Sequence, residues 1–86
     1  MDILSNKTNL FKLEWIQDTQ EFSIWKAYIT KTEVTNTTNK AKELLIKILN
    51  HEALQLLNIK SIHSFEKSWL FLVEVNELIL TNISLA

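Results

Sequence analysis

Two histidines offer the first candidate chemistry in this chain. The segment His51-Glu52-Ala53-Leu54-Gln55 begins like a zinc-protease helix, in which His, Glu, two further residues and a second His hold zinc from one helical face. Gln55 stands where the second His belongs, and an amide oxygen is a poor zinc ligand. The other histidine, His63, lies outside this segment. The sequence therefore predicts neither a metal site nor a bound cofactor.

Hydrolytic chemistry is suggested only by His63-Ser64, which places a base beside a hydroxyl. A serine nucleophile also needs an orienting acid and an oxyanion hole. Such holes commonly use backbone amides on glycine-rich turns, and this chain has no glycine. Two carboxylate pairs could in principle do acid–base work: Glu74 with Glu77 and Asp18 with Glu21. Charged surface and helix capping explain these pairs adequately, so we predict no catalytic residues and no enzyme activity.

The composition excludes several further classes of function. Glycine, proline and cysteine are absent, and all nine basic residues are lysine. Phosphate-binding loops need glycine, and disulfides and thiol chemistry need cysteine. Nine lysines against ten acidic residues give a net charge of −1, which favours neither a nucleic-acid nor a membrane partner. The sequence shows no export signal and no long apolar span, so a cytoplasmic location is expected.

The best hint of nucleic-acid binding is residues 51–68, which faintly resemble a helix-turn-helix. Ala53 would be the small residue of the first helix, and Asn58 would begin the turn. The apolar residue of the second helix, Phe65, comes one position late. The segment also lacks the arginine that reads guanine edges. A helix-turn-helix regulator is therefore kept as the alternative function.

The strongest predicted element is a helix over about residues 39–57, with Thr38 or Asn39 as its cap and Asn58 as its end. Its apolar residues recur at steps of three and four, as one buried helical face requires: Ala41, Leu45, Ile48, Leu49, Ala53, Leu56 and Leu57. Asn50 could also kink or split this helix. Because glycine is absent, turn positions are expected to fall on Asn and Asp.

The segments on either side of the helix allow two interpretations. Residues 11–15 alternate between apolar and charged side chains, and residues 21–34 are rich in β-branched and aromatic types, which favours a hairpin with its turn at 17–21. Residues 59–64 and 69–75 read as a second hairpin, with a turn near residues 66–67. Apolar residues at helical spacing also run through both segments. The sequence therefore predicts an α+β fold, with an all-α four-helix bundle as the alternative.

In the α+β interpretation, residues 1–86 form a single domain. A small antiparallel sheet in β-β-α-β-β order packs on one main helix over about 39–57. The portion from Phe22 to Val75 resembles half of a ferredoxin-like fold, a likeness of architecture that licenses no function.

The hydrophobic content predicts a binding role. At 47% hydrophobic residues, this 86-residue chain is too apolar for disorder and carries more apolar surface than a small core needs. We therefore expect a non-catalytic protein-binding module, a small subunit or an inhibitor-type protein, whose partner is another protein or a second copy. The predicted partner-binding residues are two apolar pairs: Trp25 with Ile29, and Trp69 with Phe71. The uncharged run Leu78–Ala86 is a further candidate for docking.

Overall fold

The computed structural model describes residues 10–78, which form one helix and four strands. In chain order these are β1 (Phe11–Asp18), β2 (Ser23–Thr30), α1 (Thr38–His51), β3 (Leu54–Ser64) and β4 (Ser68–Glu77). The predicted α+β fold in β-β-α-β-β order is confirmed, and the four-helix bundle is wrong. The run Leu78–Ala86 was suggested as a further docking segment. From residue 79 onward, this run lies outside the described residues.

All neighbouring strands are antiparallel, and they lie in the order β1-β2-β4-β3. In β2-α1-β3-β4, the last strand inserts between the first two, which is the arrangement expected of half a ferredoxin-like fold. The two central strands are therefore β2 and β4, and the described edges of the sheet are β1 and β3. Because residues 54–64 form one strand, the two helices that a helix-turn-helix requires within residues 51–68 are not formed.

The core lies between α1 and one face of the sheet. Alternate residues of β4 are buried, as strand periodicity predicts. The buried hydrophobic side chains are contributed by two strands and the helix: Ala27, Ile29, Ala41, Leu45, Ile48, Leu49, Trp69, Phe71, Val73 and Val75. The helix residues recur at the predicted three- and four-residue steps. The core therefore joins the centre of the sheet to one stripe of α1.

The helix begins near the predicted position but ends earlier than expected. Thr37 is the N-cap, and its side chain accepts a hydrogen bond from the Lys40 amide at 3.2 Å. The helix ends at His51 rather than near Leu57, so the predicted range 39–57 is wrong at its C-terminal end. Ala53 has φ 61°, the left-handed conformation that glycine usually supplies after a helix. This residue turns the chain back, and Leu54 opens β3.

The turns of this glycine-free chain rely on threonine more than on the expected Asn and Asp. In the β1–β2 turn, the Thr19 hydroxyl accepts hydrogen bonds from the amides of Glu21 and Phe22 at 3.3 and 3.1 Å. Between β2 and α1, the buried Thr35 hydroxyl accepts from the Thr32 amide. Threonine oxygens thus accept hydrogen bonds from backbone amides that, in a tight glycine turn, would bond to backbone carbonyls.

The opposite face of the sheet carries half-buried apolar residues among charged ones. The Lys12 ammonium lies 5.9 Å from the centre of the Tyr28 ring, and Lys60 pairs with Glu74 at 3.4 Å. This mixed face is partly shielded by long lysine side chains. Among residues 10–78, α1 lacks the length and apolar character needed to span a membrane.

Candidate protein-binding surface

The four predicted partner-binding residues lie on one face of the two central strands. Ile29 is the cross-strand partner of Trp69, and Phe71 is the next alternate residue of β4. Ile29 and Phe71 are fully buried and Trp69 is 7% exposed, because α1 covers this part of the sheet. These three side chains are core residues rather than an accessible surface. Trp25, at the margin of the helix, remains half-buried.

Trp69 is held as a core residue by its own hydrogen bond. Its indole Nε1 donates to the Thr35 carbonyl at 2.8 Å. The Thr35 hydroxyl in turn donates to the Thr30 carbonyl at 2.8 Å. The Lys31 ammonium lies 4.5 Å from the centre of the Trp69 ring, which favours a cation–π contact. Trp69 therefore fixes the segment between β2 and α1, and its polar group is already satisfied.

Trp25 differs from Trp69 because its polar group lacks a partner. Within the described chain, its indole Nε1 is the one buried side-chain nitrogen or oxygen without a hydrogen bond. Trp25 also lines a cleft of about 340 Å³ with four other residues: Phe11, Leu13, Glu52 and Leu54. An unsatisfied buried donor costs about 1–3 kcal/mol. The cleft is thus mainly apolar, and one of the residues that line it carries an indole donor without a hydrogen-bond partner.

The largest exposed aromatic beside this cleft is Trp15 on β1, which is 54% exposed. Its indole Nε1 donates to Oδ1 of Asp18 at 3.0 Å. The same Asp18 oxygen accepts from the Ser23 hydroxyl at 2.6 Å. The hydrogen bond from Ser23 and, to a smaller extent, the one from Trp15 lower the pKa of Asp18 below its usual value. The ring is therefore oriented by a carboxylate although it is exposed to solvent.

We define the β1 apolar surface as Phe11, Leu13, Trp15 and Trp25. Phe11, Leu13 and Trp15 alternate along β1, and Trp15 lies directly opposite Trp25 on β2, so all four point to the helix side of the sheet. The helix makes its main backbone contacts with β3 and β2. The edge strand β1 is left largely uncovered, and this surface borders the core without being enclosed by it.

Sequence reasoning placed the contact surface mainly on the central strands rather than on β1. The alternation of Phe11, Leu13 and Trp15 was a sufficient signal for a strand with an apolar face. What the sequence could not provide was the strand order, which places β1 at an edge and β4 at the centre. Trp25 is the one predicted contact residue that also belongs to the β1 apolar surface.

A second cleft of about 400 Å³ lies between α1 and the loop before it. Its apolar residues are Val34, which is 71% exposed, and Leu44. Charged side chains of both signs complete its walls: Glu33, Lys40, Glu43 and Lys47. Because the charges are mixed and no unsatisfied buried side-chain donor of the described residues faces it, this cleft points to no particular ligand.

The histidine segments do not assemble a reactive site in the described chain. His51 ends α1 whereas Gln55 lies in β3, so the two do not share a helical face. His63 and Ser64 are consecutive in a strand, which directs their side chains to opposite faces. The Ser64 hydroxyl accepts a hydrogen bond from Lys31 at 2.7 Å, and the His63 ring stacks near Phe65.

The charged side chains of the described residues are likewise dispersed. Glu74 contacts Lys60 and Asn58, while Asp18 is engaged by Trp15 and Ser23. Within residues 10–78, no three His, Cys, Asp or Glu side chains are grouped so that they could hold a metal ion. The chemistry available at the β1 apolar surface is therefore aromatic and apolar contact. No protein-family model, curated protein or solved structure matches this chain.

Proposed function

We propose that this chain is a non-catalytic protein-binding module that contacts its partner through the β1 apolar surface. The observation that carries the proposal is Trp15, which is 54% exposed and yet oriented by Asp18. Tryptophan is enriched among the residues that dominate interface binding energy. A ring already held in place loses less conformational entropy on binding than a free one. Trp15 is therefore suited to be the central contact.

The cleft beside Trp15 supports the same proposal. Trp25 lines this cleft and carries a buried indole donor without a partner, and Phe11 and Leu13 contribute apolar walls. A carbonyl oxygen of a bound chain is the type of group that could satisfy the donor, after a small rotation of the ring. An apolar side chain of that chain could fill the remainder. This combination fits a peptide segment better than a purely hydrocarbon ligand.

The proposal retains the cytoplasmic location and the small-subunit or inhibitor-type role that the sequence predicts. The nearly balanced charge means that apolar burial, rather than long-range attraction, supplies most of the affinity. Complex formation is therefore expected to persist at high salt, because screening weakens charge interactions and leaves apolar contacts largely intact. A complex that dissociates on moderate addition of salt would instead indicate charged contacts.

Affinity purification with matched variants tests this function. The tagged full-length chain, the variant Trp15→Lys and the control Val34→Lys are each used to recover proteins from the native host. Val34 is also a strongly exposed apolar residue, but it lies beside the second cleft. Loss of a central tryptophan contact costs about 2 kcal/mol or more, which corresponds to an approximately thirtyfold weaker complex.

Proteins retained by the wild type and by Val34→Lys, but lost with Trp15→Lys, would identify partners of the β1 apolar surface. Equal recovery with Trp15→Lys would contradict the proposal, provided that circular dichroism shows the variant to be folded. Loss with Val34→Lys alone would move the binding site to the second cleft.

A further inference from the structure

We propose that the partner of the β1 apolar surface is a second copy of this chain, which pairs antiparallel with the outer edge of β1. The pairing joins residues 11–15 of the two copies about a two-fold axis at Leu13 and produces one continuous eight-stranded sheet. The inference rests on the proposed function, because it uses the same surface and names its occupant.

The outer edge of β1 carries backbone groups that the described strands leave unpaired. The Thr30 amide donates to the Leu10 carbonyl at 2.8 Å. The backbone N–H and C=O groups of Leu10, Lys12 and Glu14 therefore point toward β2. The intervening residues Phe11, Leu13 and Trp15 then direct N–H and C=O outward. No strand among residues 10–78 covers this edge. Such an edge is a template for another strand.

The length of the usable edge is set by an irregularity in β1. The register with β2 shifts between Trp15 and Gln17, where β1 bulges. A bulge interrupts the regular ladder and twists the strand. The regular edge therefore runs from Phe11 to Trp15, and its midpoint is Leu13. A two-fold axis at Leu13 uses all of the outward-facing groups of this segment.

Charge complementarity selects the same axis. With the axis at Leu13, Lys12 of each copy lies opposite Glu14 of the other, so the dimer contains this pair twice. The pair falls at a non-hydrogen-bonded position, where facing side chains are closest. An axis at Lys12 would instead oppose two lysines, and an axis at Glu14 would oppose two glutamates. Like charges directly opposite each other are destabilising, so both neighbouring registers are disfavoured.

The helix-side contacts agree with this register. Leu13 meets its own symmetry mate, and Phe11 of each copy meets Trp15 of the other. The contact is isologous, because the same patch serves both copies, as a closed two-fold dimer requires. Trp15 becomes covered, and the half-buried Phe11 and Leu13 gain apolar neighbours. The dimer would thus bury the exposed part of the β1 apolar surface.

The other described edge is less suitable for the same pairing. The register between β3 and β4 shifts twice, between Leu56 and Asn58 and again between Ile59 and Ser61. Each shift breaks the regular spacing of the hydrogen-bonding groups and twists the strand. An added strand could follow only short parts of this edge. The outer edge of β1 is therefore the described edge with which a second copy can form a regular ladder of hydrogen bonds.

Charge exchange tests both the partner and the register. Analytical ultracentrifugation of the full chain should give a dimer for the wild type. Lys12→Glu and Glu14→Lys each create two like-charge contacts and should weaken dimerisation by about tenfold or more. Mixing these two variants restores both opposite-charge pairs in a heterodimer, and the double variant K12E/E14K restores them in a homodimer. The controls Glu66→Lys and Lys67→Glu change exposed charges in the β3–β4 turn and should leave the dimer intact.

Thermal melting must accompany these measurements, because Lys12 also contacts Tyr28 and Glu14 lies opposite Lys26 within the same chain. Weakened single variants with recovery in the mixture support the proposed register, since a folding defect cannot be repaired by mixing. A dimer that is insensitive to both single variants would overturn the register. A wild-type chain that remains monomeric at millimolar concentration would overturn the dimer.

Hydrogen exchange of the Phe11, Leu13 and Trp15 amides distinguishes the remaining outcomes. Protection that rises with protein concentration supports a second copy. Protection that is independent of concentration in a monomer would assign the edge to another segment of the same chain and overturn the inference. Unprotected amides in a monomer, combined with Trp15-dependent recovery of a different protein, would overturn the inference while leaving the proposed function intact.

Discussion

The indole Nε1 of Trp15 donates to Oδ1 of Asp18 at 3.0 Å, which ties the most exposed tryptophan of the described chain to a carboxylate three residues later. The same oxygen also accepts from Ser23 across the β1–β2 hairpin. The carboxylate thus connects the orientation of the ring to the turn that ends β1. This relationship makes the proposed contact residue sensitive to the ionisation of Asp18.

Protonation of Asp18 should weaken the hydrogen bond that it accepts from Trp15. The hydrogen bonds from Ser23 and Trp15 lower the pKa of Asp18 below the ordinary value of 3.8. A carboxyl whose pKa is lower in the folded state stabilises that state above its unfolded pKa, and the effect is lost as the pH falls through the folded pKa. The Trp15 indole N–H resonance should therefore shift with a midpoint below pH 3.8.

Two-dimensional NMR across an acid titration measures this midpoint, and Asp18→Asn is the matched control. The variant keeps an oxygen acceptor but cannot ionise in this range, so its indole resonance should not show the transition. The Trp69 indole, which donates to the Thr35 carbonyl, should also be unaffected while the protein stays folded. A Trp15 transition that persists in Asp18→Asn would assign the effect to another group.

Glycine at position 53 should stabilise the protein. Ala53 adopts φ 61°, which costs an L-residue with a Cβ atom roughly 1–2 kcal/mol. Ala53→Gly removes this strain but adds entropy to the unfolded chain, so a net gain of about 1 kcal/mol is expected. This corresponds to a melting temperature higher by about 4–8 °C.

The same substitution elsewhere should have the opposite effect. Ala41 is buried in α1 with helical geometry, and Ala41→Gly should destabilise the chain by about 1 kcal/mol. Thermal denaturation of both variants at neutral pH provides the comparison. A destabilised Ala53→Gly would show that the left-handed turn after α1 is not the strained position described above.

The C-terminal end of α1 shows why part of the fold escapes sequence reasoning. Leu56 and Leu57 continue the spacing of Leu45 and Leu49, so periodicity alone extends the helix. No glycine marks the end, since Ala53 occupies the position that glycine usually takes. The two hairpins were one of two interpretations of their segments, and the β-branched and aromatic residues that favoured them are confirmed as strands, with alternate residues of β4 buried.

The sequence predicts that an aromatic binding surface exists, but it does not predict which residues form it. Surplus aromatic residues indicate a binding surface, but Trp15 and Trp69 are the same residue type in similar alternating patterns. Their exposure differs because β1 is an edge strand whereas β4 lies between two others. Strand order results from long-range pairing, which a single sequence does not reveal. The same limit applies to the bulge after Trp15, which defines the regular edge of β1.

The Thr35 hydroxyl should contribute to stability far more than its size suggests. It donates to the Thr30 carbonyl and accepts from the Thr32 amide, both at 2.8 Å, while its side chain is buried. Thr35→Val keeps the shape but removes both interactions, at a cost of about 1–3 kcal/mol. Thr35→Ser retains the hydroxyl and should recover most of this loss. Urea denaturation measures both variants, and equal stabilities for Thr35→Val and Thr35→Ser would contradict the role of the hydroxyl.

Replacement by phenylalanine should lower the stability of the protein more at Trp69 than at Trp25. Trp69→Phe removes a donor that is bonded to the Thr35 carbonyl at 2.8 Å and leaves that carbonyl without this partner. Trp25→Phe removes a buried donor that has no partner, so its desolvation penalty disappears with it. Both changes reduce ring size, which makes their difference more informative than either value.

Trp69→Phe should therefore be less stable than Trp25→Phe by about 1–3 kcal/mol in urea denaturation of the full chain. For binding through the cleft, Trp25 should matter more than Trp69, because Trp25 supplies the donor proposed to bond to a partner's carbonyl. Trp25→Phe should weaken recovery of the partner in the affinity purification, whereas Trp69→Phe, measured where it is fully folded, should not. If Trp25→Phe destabilised the chain as much as Trp69→Phe and left association unchanged, the indole donor of Trp25 would have no role in binding.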